Sequence, residues 1–119
     1  MGRDDEEGRR GEAAASRHLR RRGWTILASR HRVAGGELDL VAARGGVVAI
    51  CEVKARSDRS ALAEPVTAAQ RERIRRAAEA FLAARPELAG RTVRLDLLAV
   101  RLGRFRARVR HLPGAVGES

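Results

Sequence analysis

The sequence has no tyrosine, one tryptophan and two phenylalanines. Its core therefore has to be built from valine, leucine, isoleucine and alanine. A single cysteine, Cys51, excludes an internal disulfide framework and suits a reducing compartment. No apolar stretch approaches the ~18 residues needed to cross a bilayer, and the opening residues are too charged for a secretory leader. The expected setting is the cytoplasm, with no membrane attachment. Lysine is nearly missing as well: among 25 Lys and Arg side chains, only Lys54 is a lysine.

The 119 residues fit one domain, long enough to bury a core without staples. The net charge is +10. Such an excess points to a polyanionic partner, most simply nucleic acid; the competing reading is a coding bias toward arginine with no ligand behind it. The near loss of lysine favours such a bias, and under it a surviving lysine marks a place where arginine does not fit.

Residues 1–7, with the acidic run Asp4 to Glu7, read as a tail, residues 8–112 as the single domain and residues 113–119 as a second tail. Gly8 to Arg22 has helical composition, with Glu12, Ala15 and Leu19 sharing one face and Gly23 as the stop. Trp24 to Arg32 reads as a strand. In Glu37 to Ala43, strict alternation puts Leu38, Leu40 and Ala42 on one face and Glu37, Asp39 and Val41 on the other. After the hairpin signal Gly45-Gly46, Val47 to Ala55 is apolar enough to be a central strand buried on both faces. Ser57 to Pro65 reads as a polar loop and a candidate for substrate contact or gating. A helix over Val66 to Arg85 and strands over 92–100 and 105–112 complete the order αβββαββ, an α/β domain with a mixed sheet.

With a two-residue turn at Gly45-Gly46, Arg44 pairs with Val47, Asp39 lies across from Glu52, and Glu37 lies across from Lys54. Directly opposed residues point to one face with Cβ atoms about 5 Å apart. Glu52 and Lys54 share that face with Val48 and Ile50, so carboxylates and one ammonium converge where unpaired charge is costly. Facing carboxylates raise one another's pKa unless something positive holds them. Lys54 supplies one charge and a divalent cation can supply the rest. Mg²⁺ takes carboxylate and carbonyl oxygens and keeps sites for water and phosphate, so Asp39, Glu52 and the backbone carbonyl of Val53 form a partial cage. That set suits metal-assisted attack of water on a phosphodiester. A compact ammonium with a movable pKa can orient and help deprotonate the water, whereas a guanidinium stays charged. The bland alternative is an ordinary Glu52–Lys54 ion pair on a solvated strand.

The stretches GRRGEAAASRHLRRRGWTIL, GGELDLVA (35–42), VVAICEVKAR (47–56), VTAAQRERIRRAAEAFL (66–82) and VRLDLLAV (93–100) resemble the PD-(D/E)XK nuclease superfamily. Within it they resemble the YraN-like family of small bacterial endonucleases, related to archaeal Holliday junction resolvases. The resemblance spans most of residues 8–100. It implies a restriction-endonuclease-like fold with Asp39 and Glu52 as metal ligands and Lys54 as the catalytic lysine. Glu12 matches the helix acid that faces the same centre in the resolvase-like branch. The proline of the superfamily name is absent, Leu38 preceding Asp39, and Gln70 stands where relatives carry lysine.

For Glu12 the alternative is a first-turn acid favoured by the helix dipole. Glu37 is open between a supporting acid, a ligand, a partner for Lys54 and a plain strand-end carboxylate. Arg56, Arg59, Arg71, Arg73 and Arg76 flank the site and are candidate phosphate contacts. His18, His31 and His111 lack metal-ligand spacing and read as surface residues, Cys51 and Trp24 as core, and Asp96 as structural. The expected function is a Mg²⁺-dependent DNA endonuclease acting on branched or structured DNA, with Mn²⁺ as a substitute metal and Gln70 supporting the catalytic set. Symmetric cutting of a junction would require a homodimer. The competing expectations are a nucleic-acid-binding protein without turnover and a basic structural protein.

Overall fold

The Gly45-Gly46 turn does set the central register. Gly45 takes the left-handed φ of +58°, and pairing runs from Arg44↔Val47 to Leu40↔Cys51. A computed structural model of the chain describes residues 3–58 and 60–118. It contains α1 (Arg3–Arg21), β1 (Thr25–Val33), β2 (Gly36–Arg44), β3 (Val47–Arg56), α2 (Ser60–Ala63), α3 (Ala68–Ala83), a 3-10 turn (Pro86–Leu88), β4 (Thr92–Leu102) and β5 (Ala107–Glu118). The five strands form one sheet in chain order. All neighbours are antiparallel except β3 and β4, which run parallel because α2 and α3 carry the chain back across the sheet.

Helices cover both faces, which is why β3 reads as an almost continuous apolar run. On one side Ala14, Ala15 and Leu19 of α1, with Trp24, pack on Leu40, Ala42, Ala49, Cys51, Leu98 and Val100. On the other, Ile74, Ala77, Ala78 and Phe81 of α3 pack on Val41, Val48, Ile50, Leu95 and Leu97. Helix α1 ends in a Schellman arrangement: Trp24 N donates to Leu19 O, Gly23 N donates to Arg20 O, and Gly23 has φ +87°. Helix α1 lies unusually close to the sheet at Gly11, where a Cβ would collide with Cβ of Ala55. That missing methyl sets the height of Glu12 above the sheet.

Several sequence expectations need correction. The acidic run Asp4 to Glu7 belongs to α1, where carboxylates at a helix N-terminus are favourable and Asp5 pairs with Arg9 at 3.3 Å. The segment after Pro113 continues β5 to Glu118. Pro113 is tolerated because the ladder slips there, from Leu97↔Leu112 to Leu95↔Gly117. Asp96 faces this slip, fully buried. It accepts from Gly114 N at 2.9 Å and from Arg94, and lies 2.7 Å from His111 Nε2. Burial pushes its pKa up, but His111, Arg94 and the Gly114 N–H outweigh that and hold it low. His111 is thus part of a buried clamp and not a surface residue. The loop 57–65 contains the short helix α2, capped by Asp58, whose carboxylate accepts from Ser60 N at 2.8 Å.

Alternation in β2 also breaks. Leu38 joins Val41 on the α3 side, while Leu40 and Ala42 face α1. Pairing to β3 ends at Leu40, and β1 brings an irregularity at Leu27 and a left-handed residue, Arg30 at φ +45°. Such features add local twist, so the strand turns over between Leu38 and Leu40, at Asp39. Cys51 and Trp24 are core as expected, Trp24 lying under Arg44 with the guanidinium 4.6 Å from its ring.

Gly11→Ala should gain about 0.5–1 kcal/mol of helix propensity and lose about 1–3 kcal/mol to overpacking against Ala55, for a net loss of stability in urea denaturation. Asp96→Ala should cost about 3–5 kcal/mol, since Arg94, His111 and the Gly114 N–H lose a shared buried partner; an unchanged urea midpoint would remove the clamp from the fold's support.

Candidate functional site

The β2–β3 ladder stops at Leu40↔Cys51, and the next hydrogen bond is of a different kind. The Asp39 side chain, through Oδ2, accepts from Val53 N at 2.8 Å. A carboxylate has taken the place of a backbone carbonyl, and the two strands part around it. The Glu52 carboxyl meets Asp39 in the same wedge, close enough for the two side chains to share a hydrogen bond. The sum rule of the hairpin had put these residues opposite one another, and they do converge, though through side chains.

Both acids are half-buried and both are pushed up. For Glu52, burial and then the charge of Asp39 raise the pKa to about 7, with Arg73 and Lys54 opposing. Burial raises Asp39 too, against the pull of the Val53 N–H. The hydrogen bond between them lowers Asp39 and raises Glu52, on top of the burial that raises both. Lys54 is only 6 % exposed and its Nζ donates to Pro65 O at 3.3 Å. It alternates away from Val53 and Ala55, which pack toward α1, and so shares the Glu52 face.

Glu12 reaches the cluster from α1. Burial, then the charge of Asp39, raise it to about 7, while Arg30 pulls it down. Arg30 Nε lies 3.5 Å from Glu12 Oε1. The pairs Ser29↔Leu40 and His31↔Leu38 bracket Arg30 opposite Asp39. Sequence reasoning missed Arg30: nothing distinguishes it from the other arginines until its left-handed backbone is seen. Glu37 is exposed and adds negative charge to Asp39 and Glu12. No ion pair joins it to Lys54 among the described residues, because the strands have parted before reaching that row.

The remaining expected residues separate. Gln70 does not join the cluster. Its side-chain oxygen accepts from Thr67 N at 2.9 Å, and Gln70 N donates to Thr67 Oγ1 at 3.1 Å. This is a capping box, legible as T-x-x-Q at 67–70. Arg73 is the arginine whose charge acts on Glu52. Arg56 is held by Glu64 through two bonds of 2.8 and 3.0 Å. Arg71 donates to Val116 O at 2.7 Å, and Arg76 pairs with Glu72 at 3.2 Å. Arg59 lies outside the described residues.

Among the described residues no three His, Cys, Asp or Glu side chains are already gathered as a metal cage. The pair Asp39–Glu52 nonetheless fits a hard divalent cation. Two facing, half-buried carboxylates with raised pKa values carry a repulsion that a cation relieves, and two carboxylates are the protein share that Mg²⁺ ordinarily takes. Burial pushes the Cys51 thiol up, on the opposite face, so it offers no competing soft ligand.

These features define a mixed α/β domain whose central strands part around an acid pair next to a buried lysine. The family model described as "Uncharacterised protein family UPF0102" matches residues 11–100. A UPF0102 protein of Paramagnetospirillum magneticum (strain ATCC 700264 / AMB-1) is 46 % identical over 112 residues, covering 91 % of this chain and 84 % of the relative. One from Caulobacter sp. (strain K31) is 45 % identical over 108 residues, 91 % and 76 % of the two chains. One from Roseiflexus castenholzii (strain DSM 13941 / HLO8) is 40 % identical over 114 residues, 92 % and 91 %. The chain belongs to the UPF0102, or YraN-like, family. No helix among the described residues is long and apolar enough to cross a membrane.

The pH dependence of stability follows from Glu52. Its pKa is raised from 4.5 to about 7 in the folded protein. The folded state therefore holds this proton more tightly, and the resulting stability is full below pH 4.5 and lost as pH rises through about 7. Glu52→Gln should leave stability nearly unchanged at pH 4.5 and raise it by about 1–3 kcal/mol at pH 8. Denaturant midpoints at the two pH values read the difference; equal midpoints at pH 8 would mean that the acid pair is not strained.

Proposed function

We propose that this protein is a metal-dependent nuclease of the PD-(D/E)XK, restriction-endonuclease-like kind, hydrolysing DNA phosphodiester bonds and acting as an endonuclease on branched or structured DNA in the cytoplasm. The observation that carries this reading is the Asp39–Glu52 pair in the β2–β3 wedge, with Lys54 buried on the same face. Asp39, Glu52 and the Val53 carbonyl would hold Mg²⁺ or Mn²⁺. The cation would offset charge developing on the phosphodiester and make water in the site more acidic.

The chain's own residues divide the remaining work. Asp39 fixes the backbone at Val53 and keeps the wedge open. Glu52, with its pKa raised to about 7, would hold the cation in its deprotonated form. Lys54, anchored on Pro65 O, presents a compact ammonium that orients the attacking water. Glu12, braced by Arg30, and exposed Glu37 add negative potential that favours a cation and a raised proton affinity beside it. Gln70 acts at one remove, by capping the helix that carries Arg73.

A second reading, a nucleic-acid-binding protein without turnover, is favoured by one specific observation: the Lys54 ammonium is engaged with a backbone carbonyl. Incubation with four-way junction, flapped, duplex and single-stranded DNA, with Mg²⁺ or Mn²⁺ against EDTA, separates the two. Cutting should require the metal and fall by roughly 10²–10⁴-fold in Lys54→Ala, and Asp39→Ala should abolish it. Cutting that survives either substitution overturns the assignment, and tight binding without cutting on any substrate selects the second reading. A requirement for two copies of the chain would show as a cooperative dependence of junction cutting on protein concentration.

A further inference from the structure

The arginines that flank the acid pair in sequence are mostly occupied, whereas those on the outer edge of the sheet are not. Strand register puts Lys54 beside Ala99 and then Arg110, and Arg56 beside Arg101 and then Arg108. These rows lie on the Glu52 face, since Val100, Leu102 and Val109 between them pack toward α1. Arg101 and Arg108 are directly opposed across the β4–β5 ladder, a like-charge pairing that costs stability unless an anion lies between them. Together with Arg110 they line a cavity of about 340 Å³ whose one acid is Asp58 at its rim. Among the described residues none of the three makes an ion pair. A few residues on, Phe105 is 89 % exposed at the tip of the β4–β5 hairpin. The tip is a tight turn, closed by Gly103 N donating to Arg106 O at 2.7 Å and braced from α1 by Arg10, whose Nη2 donates to Gly103 O at 2.8 Å. Among the described residues, this large apolar ring, held in water on a braced turn among arginines, meets only the guanidinium of Arg104, 5.8 Å from its centroid, as an aromatic or cationic partner.

We propose that the β4–β5 ribbon is the docking surface for a nucleic-acid strand, with Arg101, Arg108 and Arg110 on successive phosphates and Phe105 stacked on an unpaired base. Arginine rows with an exposed aromatic are the chemistry that grips single-stranded nucleic acid, because every base offers a ring face and every step a phosphate. The distance sets a length. From the Glu52↔Leu97 row to Leu102 is five residues, about 17 Å at 3.3 Å per residue. A strand whose unpaired base rests on Phe105 therefore has to run at least about 17 Å along β4 to come level with the acid pair. This last clause rests on the nuclease reading; the binding surface itself does not.

The test is fluorescence anisotropy in EDTA, where no cutting occurs, with labelled single-stranded and blunt duplex oligonucleotides and with heparin as a polyanion that has no bases. Arg101→Gln with Arg108→Gln should weaken binding to every probe by roughly 10-fold or more and lower the salt slope by about two. Phe105→Ala should weaken single-stranded binding by roughly 5- to 150-fold and leave duplex and heparin unchanged. Phe105→Trp should restore it, with quenching of the new indole by single-stranded DNA and not by heparin. Phe105 is exposed, so these variants keep the fold, which circular dichroism checks. Binding that is indifferent to the two arginines overturns the proposal. A Phe105→Ala loss that is equal on heparin, or absent on single strands, also overturns it. If no substrate is ever cut but these binding losses appear, the docking surface stands and the nuclease reading falls. Metal-dependent cutting that ignores Phe105, Arg101 and Arg108 has the opposite meaning.

Discussion

One hydrogen bond organises the centre of this molecule: the Asp39 carboxylate on the Val53 amide. In an uninterrupted antiparallel ladder that amide would face a backbone carbonyl, and β2 and β3 would stay one strand-width apart with their side chains in strict alternation. With a carboxylate in place of the carbonyl, the strands part, β2 rolls over at Asp39, and Leu38 changes sides. The amide also pulls the Asp39 pKa down against the burial that raises it, while burial and the charge of Asp39 raise its neighbour Glu52. Geometry and charge at the site thus come from the same bond.

Around that bond the protein arranges opposing fields. Burial and mutual repulsion raise Glu52 and Glu12 to about 7, while Arg30, Arg73 and Lys54 limit the rise from three different elements. The result is a pair of carboxyls, Glu12 and Glu52, whose raised pKa values both lie near neutrality. The large positive charge of the chain is distributed differently from what its sequence suggests. Much of it is tied up locally: Arg56 on Glu64, Arg75 between Glu72 and Glu79, Arg71 on a carbonyl of β5. Among the described residues the β4–β5 ribbon carries five arginines that make no ion pair: Arg101, Arg104, Arg106, Arg108 and Arg110.

The parts of this structure that were legible from sequence are those controlled by local chemistry. A Gly-Gly turn that demands a left-handed residue fixed the hairpin register. The apolar run from Val47 announced a strand covered on both faces, and the helical spacing of Ile74, Ala77, Ala78 and Phe81 announced the face of α3. Convergence of Asp39, Glu52 and Lys54 followed from those facts alone, and membership of the UPF0102 family bears out the YraN-like part of the resemblance drawn from the motifs. The misreadings arose where distant segments decide. The Asp4 to Glu7 run is helical partly because Arg30 and Arg9 meet Asp5. The segment beyond Pro113 stays in the sheet because Asp96, 18 residues earlier, supplies the acceptor that the slipped ladder lacks. Gln70 carried its own capping signal, but its standing where relatives carry lysine made it look like a site residue. Which arginines are available could not be read without knowing which carboxylate stands beside each.

The parallel pairing of β3 with β4 has a further consequence, for the order in which the molecule is made. Helix α1 and the β1–β2–β3 meander close over short loops, and they contain Glu12, Arg30, Asp39, Glu52 and Lys54. The β4 strand reaches its place only after residues 57–91 have been laid across the sheet, a long closure that costs chain entropy before any contact is made. The meander and the acid pair it carries therefore need no long loop closure, and the second edge of β3 is paired only once that closure is made. Completion waits for β4 and β5, whose clamp at Asp96 draws Arg94, His111 and Gly114 together. The candidate site residues thus all lie in the half of the chain that closes over short loops, and the arginine-rich ribbon lies in the half that the long closure brings in.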